Sequence, residues 1–257
     1  MEYVLVHGGF LGGWCWRAVA TRLKAAGHGV TTPTLTGLGE RCHLLTPEVD
    51  LQTHITDVVN ALEFEDLHGV VLVGHSYSGF VITAVAECVP HRLSALVYVD
   101  ALVPEQGRSY FDLRPPEVVQ WFRSAADNHG RGWDIPCVFS PEMLGIDDPG
   151  MAEWVMKHLR PHPRRTLEQP FVGAGRVVNR LPKTYIVSVS PPSGAEYLEQ
   201  AERARRLGWE TFELPTGHLP MITQPDRLGE LLQGVRTVAN LRGLTPSNVP
   251  STADQNI

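Results

Sequence analysis

A serine that opens a helix directly after a buried strand is well placed to act as a nucleophile, and one stretch of this 257-residue chain has that form. Gly74-His75-Ser76-Tyr77-Ser78-Gly79 follows the apolar run beginning at Val70 and leads into a helical pattern from Tyr77 to Val89. A tight strand-to-helix turn lifts the serine oxygen to the sheet edge, and small residues two positions to either side let the backbones approach. The match to G-x-S-x-G departs at its fifth position, which is Ser78, with Gly79 one residue later. A serine hydroxyl needs a base within hydrogen-bond reach. Of the 11 histidines, His218 in Gly217-His218-Leu219-Pro220 follows the last strand pattern and falls at the same sheet edge as Ser76, so it is the expected base. His7 and His75 also close strands, but each lies inside another motif and is assigned a packing or hydrogen-bonding role. Charge developing on the attacked carbonyl oxygen needs preorganised donors. The amide of Tyr77, at the start of the helix, is one; the turn His7-Gly8-Gly9-Phe10 supplies the other, Gly9 first and Phe10 as the fallback. That glycine turn is a poor phosphate cradle, because Gly8, Gly9, Gly12 and Gly13 do not spell G-x-G-x-x-G and no acidic residue closes a second strand.

The elements that must hold these residues alternate along the chain. Glu2 to His7 is a short continuous apolar run, as in a strand buried on both faces. From Gly13 to Ala26, Trp16, Val19, Ala20 and Leu23 recur at helical spacing, with Gly27 as the stop. The pattern then predicts strands over 29–35, 70–74, 95–100, 184–189 and 211–214, and helices over about 51–62, 77–89, 195–207 and 225–241. Six strands alternating with helices imply an α/β fold with a mainly parallel six-stranded sheet flanked by helices. Residues 103–182 break the alternation. They hold no convincing buried strand, yet a structureless loop of that length is improbable in a compact domain. They are read as an inserted helical cap, with helices near Pro116–Ala126 and Pro149–Leu159, on a single domain spanning 1–242. The tail over 243–257, rich in Ser, Thr, Pro and Asn, is read as flexible.

Composition removes several function classes. Lys plus Arg total 22 against 28 Asp plus Glu, a net charge of −6, and no basic cluster is present, which argues against nucleic acid. No stretch approaches the roughly 18 uninterrupted apolar residues of a membrane helix, and Met1 runs straight into a strand pattern. A soluble, cytoplasmic protein is expected. Cys15, Cys42, Cys88 and Cys137 are far apart and form no C-x-x-C pair, so they are expected as packed thiols, with no metal site and no cofactor.

Taken together, His7-Gly8-Gly9, Gly13-Trp14-Cys15-Trp16, Gly37-Leu38-Gly39, Gly74-His75-Ser76 and Gly217-His218 resemble the α/β-hydrolase superfamily. Within it, residues 1 to about 240 are most similar to the group of plant methylesterases, hydroxynitrile lyases and related bacterial esterases. The resemblance implies an α/β-hydrolase fold with strand order 2-1-3-4-5-6 and two-step acyl transfer through Ser76 and His218. It also exposes a departure. The family usually carries an aspartate in the loop after the strand that follows the cap, and here that loop, Ser188-Val189-Ser190-Pro191-Pro192-Ser193-Gly194-Ala195-Glu196, has none. Asp100 closes the strand beside the nucleophile strand, where a carboxylate would be costly to bury without a partner such as histidine. Glu196 is the alternative acid, sitting late in the expected loop.

Phe10, Trp121, Trp133 and Trp154 are taken as substrate-binding residues, which points to a hydrophobic, even aromatic, carboxylic ester as the small-molecule partner. Lactone, thioester and amide cleavage stay open. Hydroxynitrile lyases of the resembling group carry threonine and lysine where this chain has Gly8 and Leu219, which argues against cyanohydrin cleavage. A small-molecule receptor with slow turnover is the non-enzymatic alternative. The oligomeric state, homodimer included, is left open.

Overall fold

The computed structural model describes residues 1–173, 180–190 and 194–242. The flexible tail expected over 243–257 and the loop residues Pro191, Pro192 and Ser193 lie outside the described residues. In chain order, β1 (Glu2–Val6), β2 (Gly29–Thr31), β3 (Val70–His75) and β4 (Leu93–Val99) alternate with α1 (Arg17–Ala25), α2 (Leu51–Phe64) and α3 (Ser78–Cys88). The chain then leaves the sheet for α4 (Pro116–His129), β5 (Asp134–Ile135), α5 (Pro149–His158), β6 (His162–Pro163) and α6 (Arg165–Glu168). It returns through β7 (Lys183–Ser188), α7 (Ala195–Arg206), β8 (Glu210–Leu214), α8 (Pro220–Thr223), α9 (Pro225–Gln233) and α10 (Val238–Arg242).

Six strands form one parallel sheet in the order β2-β1-β3-β4-β7-β8, which is the expected 2-1-3-4-5-6 once the two cap strands are set aside. Its centre explains the apolar runs. Every residue of β3 and of β4 is buried, as strands covered on both faces by helices must be. α3 is buried from Ser78 through Ala86, which accounts for its apolar character on all sides. The strand order reverses between β1 and β3, and in open sheets of this kind ligands bind at the carboxyl ends beside such a reversal.

Several boundaries differ from the sequence expectation for local reasons. β2 stops at Thr31 rather than running to Leu35, since Pro33 has no N–H to give the ladder. The helix expected from Pro225 to Leu241 is two, with Gly234 closing α9. In the cap, β5 and β6 pair antiparallel as a two-residue ladder that no strand pattern announced. Asp50 opens α2 with a reciprocal capping box to Thr53, which fixes the helix that carries His54 inward. The four cysteines are free, but they are not uniformly packed: Cys15 is buried, Cys42 and Cys137 are half-buried, and Cys88 is exposed where α3 reaches solvent. Among the described residues no helix is long and apolar enough to cross a membrane.

Candidate active site

Three turns converge at the carboxyl ends of β1, β3 and β4, and each holds a non-glycine residue at positive φ: Phe10 at 65°, Ser76 at 53° and Asp100 at 44°. Such residues sit in a sparsely populated region and persist only when their surroundings over-determine them. Here the surroundings are hydrogen bonds. The Ser76 amide donates to Val99 O at 3.1 Å and the Asp100 amide to Ile186 O at 2.7 Å. The Phe10 amide donates to His162 Nδ1 at 3.4 Å, so the oxyanion turn leans on the cap. Close approach explains two glycines. A Cβ on Gly8 would lie 2.6 Å from His75 Nδ1, and one on Gly79 would lie 2.2 Å from Leu102 O, so the glycine displaced by Ser78 stands where no side chain fits. Ser78 itself donates its hydroxyl to the His7 carbonyl.

His218 Nε2 lies 3.0 Å from Ser76 Oγ, and His218 Nδ1 lies 2.6 Å from Asp100 Oδ2. Asp100 is fully buried and its other carboxylate oxygen accepts the Ser188 amide at 3.0 Å. With Nδ1–H committed to the carboxylate, Nε2 is left free to accept the Ser76 proton. Glu196, the alternative acid, goes elsewhere: it is ion-paired to Arg114 in the wall of the cavity.

The other histidines at strand ends are supports. His75 Nε2–H donates to the His218 carbonyl at 2.7 Å, and burial holds its pKa well below the ordinary 6.5, so it is a neutral prop for the loop that carries the base. His7 donates from Nδ1 to Gly8 O at 2.8 Å and accepts the Leu35 amide at Nε2 at 3.1 Å; burial lowers its pKa to about 4. Behind the nucleophile, the Tyr77 hydroxyl donates to His54 Nδ1 at 3.0 Å, and His54 Nε2–H donates to Thr36 O at 2.9 Å. His54 is likewise lowered to about 4 by burial. Among the described residues the amides of Gly9 and Tyr77 are not taken up by any backbone carbonyl, whereas that of Phe10 is engaged by His162. Gly9 and Tyr77 both line the cavity, and the fallback Phe10 lines it with its amide already engaged.

The cavity over Ser76 has a volume of about 180 Å³ and is closed from the cap side by Phe122, Phe139, Leu144, Leu159 and Leu167. Phe10 lines it as expected, its ring 6.1 Å from Phe122 and 5.5 Å from Phe139. Trp121, Trp133 and Trp154 do not. Trp121 packs behind the wall, 5.2 Å from the Phe122 ring and 5.4 Å from Phe139. Trp133 lies under the Arg131 guanidinium, 3.9 Å from its centroid, and Trp154 stands edge-on to Trp14 at 5.0 Å. All three serve cap packing, which a large aromatic side chain does as readily as it lines a pocket. Tyr110, Arg114 and Tyr197 line the cavity and were not anticipated. For Tyr197 the available signal was that a helix starting at Ala195, after the loop that follows β7, puts its first turn at the catalytic edge.

The cap also touches the loop that carries the base. Gly145, at φ 70°, packs backbone to backbone against Gly217, and a Cβ on either would come within 2.6 Å of the other's Cα. Among the described residues no group of three or more His, Cys, Asp or Glu is gathered to hold a metal ion.

The geometry has relatives. The model of the alpha/beta hydrolase family matches residues 3–231. The chain is 39% identical over 244 residues to the carbendazim hydrolyzing esterase of Nocardioides sp. (strain SG-4G), covering 90% of this chain and 98% of that one. It is 31% identical over 173 residues to methylesterase 2 of Arabidopsis thaliana, covering 61% and 58% of the two chains. Among solved structures it is similar to an extracellular alpha/beta-hydrolase from a Paenibacillus species, described as sharing structural and functional homology with tobacco salicylic acid binding protein 2. The TM-score is 0.81, with 26% identity and coverage of 92% and 99%. A pyrethroid hydrolase from Sphingobium faniae JZ-2 shares the fold with a TM-score of 0.71 at 24% identity, covering 91% and 96%.

Proposed function

The chain belongs to the α/β-hydrolase family and cleaves carboxylic esters, and from that premise we propose that it does so as a serine esterase with Ser76, His218 and Asp100 as its triad. One observation carries the reading: a single imidazole spans Ser76 Oγ at 3.0 Å and the buried Asp100 carboxylate at 2.6 Å. Ser76 attacks the ester carbonyl as His218 takes its proton, and Asp100 stabilises the imidazolium that forms. The Gly9 and Tyr77 amides receive the oxyanion. His218 returns the proton to the departing alcohol, and a water activated by the same imidazole releases the acid. Turning Ser76 into a strained turn costs local stability and fixes the oxygen at the edge where the base waits.

The substrate is proposed to be a compact ester with an aromatic acyl or alcohol part. A cavity of about 180 Å³ is smaller than the roughly 300–1,000 Å³ of drug-sized sites. Rings and leucines make up much of its wall, and two relatives are named for hydrolysing carbendazim and pyrethroids. A reducing, cytoplasmic location is proposed on the four unpaired cysteines, exposed Cys88 among them.

Steady-state hydrolysis of p-nitrophenyl esters from acetate to octanoate tests this. Ser76→Ala is expected to lower kcat/KM by on the order of 10⁵-fold, as loss of a triad nucleophile does. Turnover surviving in that variant would refute the serine mechanism, and an optimum at the longest chain would refute the compact pocket.

A further inference from the structure

The triad and the oxyanion amides leave one polar side chain at the nucleophile unexplained. Tyr197, in the first turn of α7, is buried, and its hydroxyl lies 3.5 Å from Ser76 Oγ. Its ring is stacked on His218, with centroids 4.8 Å apart and planes inclined by 21°. The polar ends of these two nearly parallel rings thus reach the same oxygen, so the phenol O–H and Nε2 face the reacting centre from one side. The hydroxyl's other neighbour is Arg114, whose Nη1–H donates to it at 3.4 Å. With that lone pair occupied, the tyrosine's own hydrogen is turned away from Arg114 and toward the reacting centre. Arg114 is held in turn by Glu196, and the two side chains are only 10% and 18% exposed. An ion pair buried against an apolar cavity carries a large desolvation cost, and hydrophobic residues of similar volume are often as stable there. Burial keeps the Tyr197 phenol well above its usual range, so it is a standing donor and not a base.

We propose that Tyr197 is a further catalytic residue whose hydroxyl donates a hydrogen bond to the alkoxy oxygen of the ester as its bond to carbon breaks. This rests on the Ser76 and His218 reading above. In acylation the Ser76 Oγ–C bond forms and the C–O alkoxy bond breaks. The serine proton travels through His218 to the alkoxy oxygen, which leaves as the alcohol. Tyr197 keeps its proton throughout and supplies only the hydrogen bond. To be protonated, the alkoxy oxygen must come within reach of Nε2, and there it meets the phenol, which faces the centre from the same side. In deacylation the attacking water takes the same position. Arg114 and Glu196 are positioning residues for this hydroxyl.

The test uses substituted phenyl acetates of rising leaving-group basicity with wild type and Tyr197→Phe, which keeps the ring on His218 and removes only the hydroxyl. A poor leaving group carries more charge as the bond breaks and gains more from the donor. The expected loss in kcat/KM, which reports acylation alone, is about tenfold on phenyl acetate and under about twofold on p-nitrophenyl acetate, so the dependence on leaving-group pKa steepens. Equal loss across the series, or none, overturns the inference. Should Tyr197→Phe fail to fold, Arg114→Gln frees the hydroxyl from its support and must steepen the same dependence; a flat response there also overturns it. Ser76→Ala runs alongside. If that variant is inactive and Tyr197→Phe is flat, only this inference falls; if it retains turnover, the serine reading falls and takes this inference with it.

Discussion

The two halves of the catalytic cavity are built by different means. The sheet half, comprising Gly9, Ser76, Asp100 and the His218 loop, is held by backbone hydrogen bonds and by turns at positive φ, each fixed to a neighbouring strand or to the cap. The cap half presents Phe122, Phe139, Leu144, Leu159 and Leu167, whose side chains meet one another and Phe10 by apolar contact. Directional bonds fix reacting atoms to fractions of an ångström, whereas packed rings fix a volume. The first half accordingly carries the chemistry, and the second sets what fits.

The sharpest way to break that contrast is within the sheet half. Asp100→Asn keeps the shape but reverses the hydrogen-bond preference at Nδ1, and kcat/KM should fall by on the order of 10³- to 10⁴-fold in steady-state assays. Glu196→Gln, whose carboxylate faces Arg114, should cost less than about tenfold in the same assay. The reverse ranking would move the acid to α7. Stability against pH probes the buried histidines behind the turns. His7 and His54 are neutral in the fold with pKa values lowered to about 4, and burial also holds His75 and His162 well below 6.5. Unfolding lets each of them take a proton below about 6.5, so the unfolded chain binds more protons there and is favoured. The melting temperature should therefore hold steady above about pH 6.5 and fall continuously between pH 6.5 and 4; a flat profile across that window would contradict neutral burial. In the cap half, Phe122→Ala should raise KM about tenfold on aromatic esters while leaving kcat within about threefold, the signature of lost uniform binding. Trp154→Ala, remote from the cavity, should change kcat/KM by less than about twofold in the same assay, since distant surface contacts rarely couple to a site.

The same division decides what was legible in the sequence. Ser76 and Asp100 each follow a recognisable buried strand and His218 follows the edge strand β8, and strand ends of a parallel sheet share one edge, so their meeting there was legible from the order of strands. Asp100 carried an additional signal in being a carboxylate at the end of an all-apolar run. Glu196, the alternative acid, falls in the first turn of the helix expected from Ala195, and there its carboxylate pairs with Arg114. The three tryptophans did mislead. In a segment without sustained periodicity, aromatic residues announce burial but not the direction in which they are buried. Arg114 comes from the segment before α4, Phe122 from α4 and Tyr197 from α7, and only tertiary packing brings them to one wall.

The backbone contact between Gly145 and Gly217 sets a condition on engineering this scaffold. The segment that selects the substrate and the loop that presents the base meet at a point where neither can carry even a methyl group. A grafted cap, chosen for the cavity it would create, has to reproduce that glycine at that spot or push His218 off Ser76. Diversity in this enzyme is therefore reached more safely by repainting the inner face of the existing cap than by exchanging it whole.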